Sequence, residues 1–252
     1  MSPDRRQHRG AHPADRQLFA AGRVATLRVA TAELSWLLTR GYASKSAVKL
    51  VGDRHDLTER QRLAVSRAAC RDESRERRAT RCLRPDEIEG ERLIVDGFNL
   101  IITTEAALGG GVLLLCRDGC LRDLSSVHGS YRAVTETERA LDLIGEELAA
   151  WRPAAALWLL DKPISNSGRL AERIRRLAAE RGWPWSVELV FNPDREIAAS
   201  AHVAVTSDSN VLDGAARWVN VARPLVEAHL ADAWVIDLRP EGDAAGASLV
   251  AP

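Results

Sequence analysis

The chain lacks most of the features that declare a function at sight. It has no excess of charge of either sign, with 35 Lys and Arg against 35 Asp and Glu. No global field therefore draws it to nucleic acid, and any such attraction must come from local clusters. No apolar run approaches the roughly 20 residues that cross a bilayer, so no membrane partner is expected. The first residues, Met1 to Arg16, are rich in Arg, His, Pro and Asp and have no apolar signal core; the expected location is cytoplasmic. There is no Gly-rich phosphate loop and no G-x-G-x-x-G, so readings built on a nucleotide cofactor lose ground. Gly109-Gly110-Gly111 reads as a turn. No internal repeat is present. The four cysteines, Cys70, Cys82, Cys116 and Cys120, lack the two-residue spacing of a zinc knuckle. Buried thiols are the favoured reading over a four-thiolate zinc site.

What is present is ordinary for a soluble globular protein: 252 residues, 46% hydrophobic and 28% charged, enough for one large α/β domain or a small domain plus a medium one. Residues 1–17 are polar and aperiodic and are expected to be disordered. Residues 18–70 read as a small helical module. Val24, Leu27, Thr31, Leu34 and Leu38 share one helical face, Gly41 stops that helix, and Ser44 can cap the next. Thr58 and Gln61 have the spacing of a capping box for a third. Such a module is either a helix-turn-helix or a cap on the main domain; with no recognition face visible, the cap is favoured. Residues 71–91 carry Arg71, Arg75, Arg77, Arg78, Arg81 and Arg84 among acids, with no apolar stripe. They read as a charged linker or solvated helix, with phosphate binding as the less favoured alternative.

From Arg92 short apolar runs alternate with helical patterns. Strands are expected at 93–95, 112–116, 155–160, 186–191, 202–206, 218–221 and 234–237, with helices at about 135–150, 168–181, 194–200, 209–216 and 224–230. This alternation implies an α/β domain over 92–239, with a mostly parallel sheet and helices on both faces. Asp118-Gly119 reads as a hairpin turn, and 240–252 as a flexible tail. Trp183-Pro184-Trp185 precedes a strand and suits an interface patch; a second copy of the chain is a partner left open.

The strand exits draw attention. Leu93-Ile94-Val95 runs into Asp96, with Asn99 close behind; 157–160 runs into Asp161; 187–191 runs into Asn192-Pro193-Asp194; 203–206 runs into Ser207-Asp208, with Asp213 further on. Each acid alone is explained by turn and cap chemistry. Four at successive exits are costly unless a cation offsets them. The hard ions Mg²⁺ and Mn²⁺ suit such oxygen ligands and act on phosphodiesters. Lys162, Ser165 and Asn166 precede a helix start and suit phosphate binding or an elaborate cap. In the 123–134 loop, His128, Tyr131 and Arg132 suit base contacts or a plain surface loop.

Val95-Asp96-Gly97-Phe98-Asn99 resembles the first-strand motif of PIN-like nucleases, most of all the NYN branch. Asn192-Pro193-Asp194 and Val205-Thr206-Ser207-Asp208 are similar to that branch's later acid motifs. The likeness covers about 92–230. The whole chain also resembles the two-part prokaryotic family called domain of unknown function 434. The resemblance implies a PIN-like fold and a Mg²⁺- or Mn²⁺-dependent nuclease acting on RNA. Asp96, Asp194 and Asp208 would be its catalytic metal ligands and Asp161 an added acid. Asn99 and Ser207 would order the metal ligands or contact phosphate; Arg132 is a further substrate contact expected from the loop alone. Asn210 stands where the branch often has another acid, and Asp213 is the nearest substitute. Two alternatives follow: a catalytically weakened RNA-binding module, or a small-molecule phosphatase. The phosphatase needs an acid two residues after Asp96, where Phe98 stands.

Overall fold

The computed structural model describes residues 8–125 and 131–244. Residues 1–7 and 245–252, the first part of the expected disordered start and most of the expected flexible tail, lie outside the described residues; so does His128. In chain order the elements are α1 (Asp15–Leu18), α2 (Ala21–Thr39), α3 (Ser44–Arg54), α4 (Glu59–Ala68), α5 (Asp72–Arg81), β1 (Cys82–Leu83), β2 (Arg92–Asp96), α6 (Gly97–Leu108), β3 (Leu113–Leu115), β4 (Leu121–Asp123), α7 (Thr137–Trp151), β5 (Ala155–Asp161), α8 (Ser167–Arg181), β6 (Trp185–Val190), α9 (Pro193–Ala199), β7 (Val203–Val205), α10 (Ser209–Gly214), β8 (Trp218–Val219), α11 (Ala222–His229), β9 (Val235–Asp237) and α12 (Glu241–Ala244).

Among the described residues, six strands form a sheet in the order β1-β8-β7-β2-β5-β6, every pair parallel. Period-two alternation sorts its side chains. Leu93, Val95, Ala156, Trp158, Leu160, Val203 and Val205 face one core with residues of α6, α7, α8 and α11. Ile94, Leu157, Leu159 and Ala204 face the other with residues of α9 and α10. Helices thus cover both faces, as near-continuous apolar strands require.

The expected single sheet is in fact two. β3, β4 and β9 form a separate three-stranded sheet, with Gly119 at φ +82° in the β3–β4 hairpin. Leu113, Leu115 and Leu121 turn toward the α/β core. Leu114, Cys116 and Ile236 turn toward Leu27, Leu34, Val51 and Val65 of the helical front. The helices are therefore a cap whose core is shared with strands from the later half of the chain. Thr58 and Gln61 form the expected capping box on α4, whereas α3 begins at Ser44 with no side-chain cap. Among the described residues no helix is long and apolar enough to cross a membrane.

Three stretches depart from expectation. Residues 8–17 are tied down. Arg9 is buried, with Nε 2.6 Å from Glu105 Oε2, and Tyr131 and Thr137 donate to the other oxygen of that carboxylate. Asp15 is buried against Arg60. The supposed linker holds the helix α5 and the strand β1, with Arg78 buried. Trp183 and Trp185 are not a free patch: Trp183 stacks on Trp185 (4.5 Å) and Trp185 on Trp158 (4.8 Å). A Cβ on Gly145 of α7 would fall 1.9 Å from the Trp183 ring. Gly145→Val is therefore expected to displace that ring and lower stability by about 1–3 kcal/mol. Urea unfolding followed by tryptophan fluorescence checks this; an unchanged midpoint would mean that the ring is not seated there.

Candidate active site

The chain leaves β2 for β5 and β6 on one side, then returns to β7 and β8 on the other. The crevice between β2 and β7 is where the order reverses, the place where open parallel sheets take ligands, beyond the carboxyl ends of their strands. The exits of β7, β2, β5 and β6 lie side by side. They carry Ser207-Asp208, Asp96, Asp161 and, in the first turn of α9, Asp194.

Asp96 sits at the crevice and is only 7% exposed. Gly97 begins α6 directly after it; a Cβ there would come within 2.5 Å of Leu160 and 3.0 Å of the Leu159 carbonyl, so only glycine lets the helix start this close to β5. The Asn99 N–H donates to Asp96 Oδ1 at 3.3 Å, and Thr206 Oγ1 donates to Oδ2 at 2.9 Å. Asn99 Oδ1 in turn accepts from the Ser207 N–H (2.8 Å) and hydroxyl (2.9 Å), clasping the two strand exits. Asp208 caps α10, accepting from the N–H groups of Asn210 and Val211.

Burial first, with Asp194 and Asp208 adding, pushes the Asp96 carboxyl up to about 7, although Thr206 and the Asn99 amide oppose the shift. Partial burial and then Asp194 push Asp161 up; partial burial and then Asp208 push Asp194 up. The four acids thus share one negative field. Among the described residues, however, no three His, Cys, Asp or Glu side chains are grouped closely enough to hold one metal ion. The donors are hard oxygens. They fit a water-rich ion such as Mg²⁺, held through one or two carboxylates with water and phosphate completing its shell, and do not fit a closed cage of three.

Asp213, expected as a substitute ligand, turns away. It accepts from Arg77 (3.0 Å), Arg78 (2.9 Å) and Ser74 (3.3 Å) on α5. Asn166, with φ +70°, donates to the Tyr131 carbonyl, and the Ser165 carbonyl accepts from the Tyr131 N–H, so this loop fastens the 131 segment. Tyr131 is core, stacked on Phe98, while Arg132 beside it is exposed. Cys116 and Cys120 lie in different cores, and burial pushes the Cys70 and Cys116 thiols up to about 12 and about 11.

The charge run at 71–91 hid one feature. A cleft of ≈ 550 Å³ lies between the helical cap and the β2 and β7 exits. Arg67, Arg71, Arg78 and Arg122 border it together with Asn99, Ser207, Asp208 and Asn210. The arginines of α4 and α5 thus stand beside the acid row, which their spacing along the chain does not reveal.

Fold and site together define a two-part α/β protein: a parallel sheet with acids along one edge, and a helical cap closing a cleft there. The chain belongs to the family described as domain of unknown function (DUF5616), whose model matches residues 85–224, more than half of its length. Residues 26–81 match the model for a protein of unknown function (DUF434). The chain is similar to the uncharacterised protein MJ0935 of Methanocaldococcus jannaschii, 28% identical over 187 residues, which is 74% of this chain and 89% of that one. No solved structure matches it.

Proposed function

We propose that the protein is a divalent-metal-dependent hydrolase of phosphodiester bonds in RNA, built on a PIN-like plan of the NYN type. The observation that carries the reading is the acid row. A buried carboxyl at the switch point is pushed up to about 7, with Asp194 and Asp208 both contributing. Carboxylates so arranged are costly alone and useful around a cation. Arg67 and Arg71, the more open of the arginines bordering the neighbouring cleft, are suited to the rest of a polyanion.

Asp96 and Asp208 would hold the ion, with Asp161 as an outlying acid. When bound, Mg²⁺ or Mn²⁺ offsets charge on the phosphoryl oxygens and makes a bound water more acidic. Asp194, more open to solvent and with its carboxyl pushed up by partial burial and then by Asp208, is suited to take a proton from the attacking water. Asn99 and Ser207 keep the two exits in register.

Two observations favour a second reading, an RNA-binding module without cleavage: Asn210 brings no charge, and no three acids are grouped as a metal site among the described residues. A phosphatase is not proposed, because Phe98 is buried against Tyr131 where the second acid would be needed. Purified full-length protein should shorten mixed-sequence RNA with Mg²⁺ or Mn²⁺ and stop with chelator, and Asp96→Asn should be inert. Wild type and variant equally active, or equally inert, would falsify the hydrolase reading; RNA bound in chelator but never cut would support the second.

A further inference from the structure

Phe191 is 74% exposed, the most open large apolar side chain among the described residues. A single exposed phenyl ring is ordinary on a protein surface. Its position is what matters. Phe191 directly follows β6, at the sheet edge that carries the acid row, and Asn192 behind it caps the helix bearing Asp194. Lys162 directly follows Asp161 at the exit of β5, and its Nζ stands 4.9 Å from the centre of the Phe191 ring. The Lys162 N–H donates to the Val190 carbonyl at 2.8 Å, which pins the two exits side by side. Arg195, exposed, follows Asp194. The acid row is thus flanked on its β6 side by an exposed ring that carries the Lys162 ammonium over one of its faces. On its β7 side it is flanked by the arginine-bordered cleft.

An exposed ring with an ammonium over one face and the other face left for a base, at the rim of a row of acids, matches the chemistry of an unpaired nucleotide. The ring takes the base by stacking, and the cation meets the adjoining phosphate. A duplex keeps its base faces inside the stack, so only a single strand offers one without a cost for unstacking. We infer that Phe191 and Lys162 form a base-stacking platform that makes single-stranded RNA the substrate class and sets the strand across the exits of β6, β5, β2 and β7. The inference deepens the hydrolase reading and rests on it for the identity of the polymer.

Because the ring is so exposed, its removal leaves the fold intact, and binding can be read on the full chain. The probe is a fluorescently labelled, unstructured oligoribonucleotide, free or annealed to its complement, titrated with chelator present so that no cleavage intervenes. The wild type should prefer the single strand. Phe191→Ala should weaken single-strand binding by about five- to a hundredfold, the range for losing one stacked base, and should leave duplex binding unchanged. Phe191→Trp should restore it, and Lys162→Ala should weaken it and flatten its salt dependence. Equal binding of the wild type and Phe191→Ala, equal loss on single strand and duplex, or a wild type that binds no RNA would each overturn the platform. A wild type that binds as expected but never cleaves overturns the hydrolase reading and leaves the platform standing.

Discussion

Asp96→Asn is expected to abolish cleavage and, at the same time, to make the metal-free protein more stable at neutral pH. Loss of a side chain that holds the ion or moves a proton costs about a hundred- to ten-thousandfold in rate. The stability effect follows from linkage. The carboxyl is pushed up to about 7 in the folded chain and ionises near the ordinary carboxylate value of roughly 4 when unfolded. Between those values the folded state holds a proton that the unfolded state has released. Wild-type stability therefore falls as pH rises from about 4 to about 7, by up to about 4 kcal/mol, and is level above that. Asn removes the ionisation and keeps the geometry. Its carbonyl can accept from the Asn99 N–H, and its amide can donate to the Thr206 hydroxyl. Denaturant unfolding at pH 4, 5.5, 7 and 8 without divalent ions should show a falling curve for the wild type and a flatter one for Asp96→Asn. Superimposed curves would mean that Asp96 ionises in the folded chain at its ordinary value, with no cost of burial.

That the site is expensive to fold explains why its residues were legible before its surroundings were. Asp96 ends an apolar strand, and a carboxylate there is conspicuous in any window of a few residues. The strand runs, the Thr58 capping box and the Asp118-Gly119 hairpin were readable for the same reason: each is a local pattern with a local cause. What escaped has distant causes. The expected helices do not include α6, which starts at Gly97 and is buried almost all round, with Thr103, Thr104 and Glu105 inside. Glu105 is tolerated only because Arg9, 96 positions earlier, reaches it. For that reason the start of the chain could not be recognised as ordered. Asp213 has the spacing of a ligand along its own helix, but its partners are on α5, about 135 residues away. A short apolar strand says that it is buried without saying beside which neighbour, and so β3, β4 and β9 were assigned to the wrong sheet. Phe191 was read as one more strand residue because nothing in its window tells an inward ring from an outward one.

The largest expected loss of stability is at Asp118, beneath the site. This carboxylate is buried between two arginines that are themselves nearly inaccessible. Arg122 donates to both its oxygens, at 2.9 and 2.6 Å, and Arg78 donates at 2.6 Å. Burial alone would raise its pKa; Arg122 and Arg78 outweigh burial and hold it down at about 2. Arg122 continues upward, with Nε 2.6 Å from the Ser207 carbonyl in the strand exit beside Asp96. Arg78 carries the lock outward to Asp213 and to the Ser209 carbonyl. One buried charge therefore joins the cap, the hairpin and the floor of the site. Asp118→Asn keeps the shape but leaves Arg122 with no counter-charge among the groups it touches, and this is expected to cost about 3–5 kcal/mol, a large share of the 5–15 kcal/mol that typical domains possess. Protonation is milder than removal: as pH falls from about 4 through about 2 the wild type should lose only about 2 kcal/mol from this group, because its folded pKa lies below the unfolded one. The cost of burying ions makes the control informative. Asp118→Leu combined with Arg122→Met removes both charges, and should be less destabilised than Asp118→Asn alone even though four hydrogen bonds from Arg122 are gone. If the double variant is instead the weaker of the two, the network stabilises the fold through its hydrogen bonds, and the penalty for an unpaired buried guanidinium is not what holds cap and sheet together.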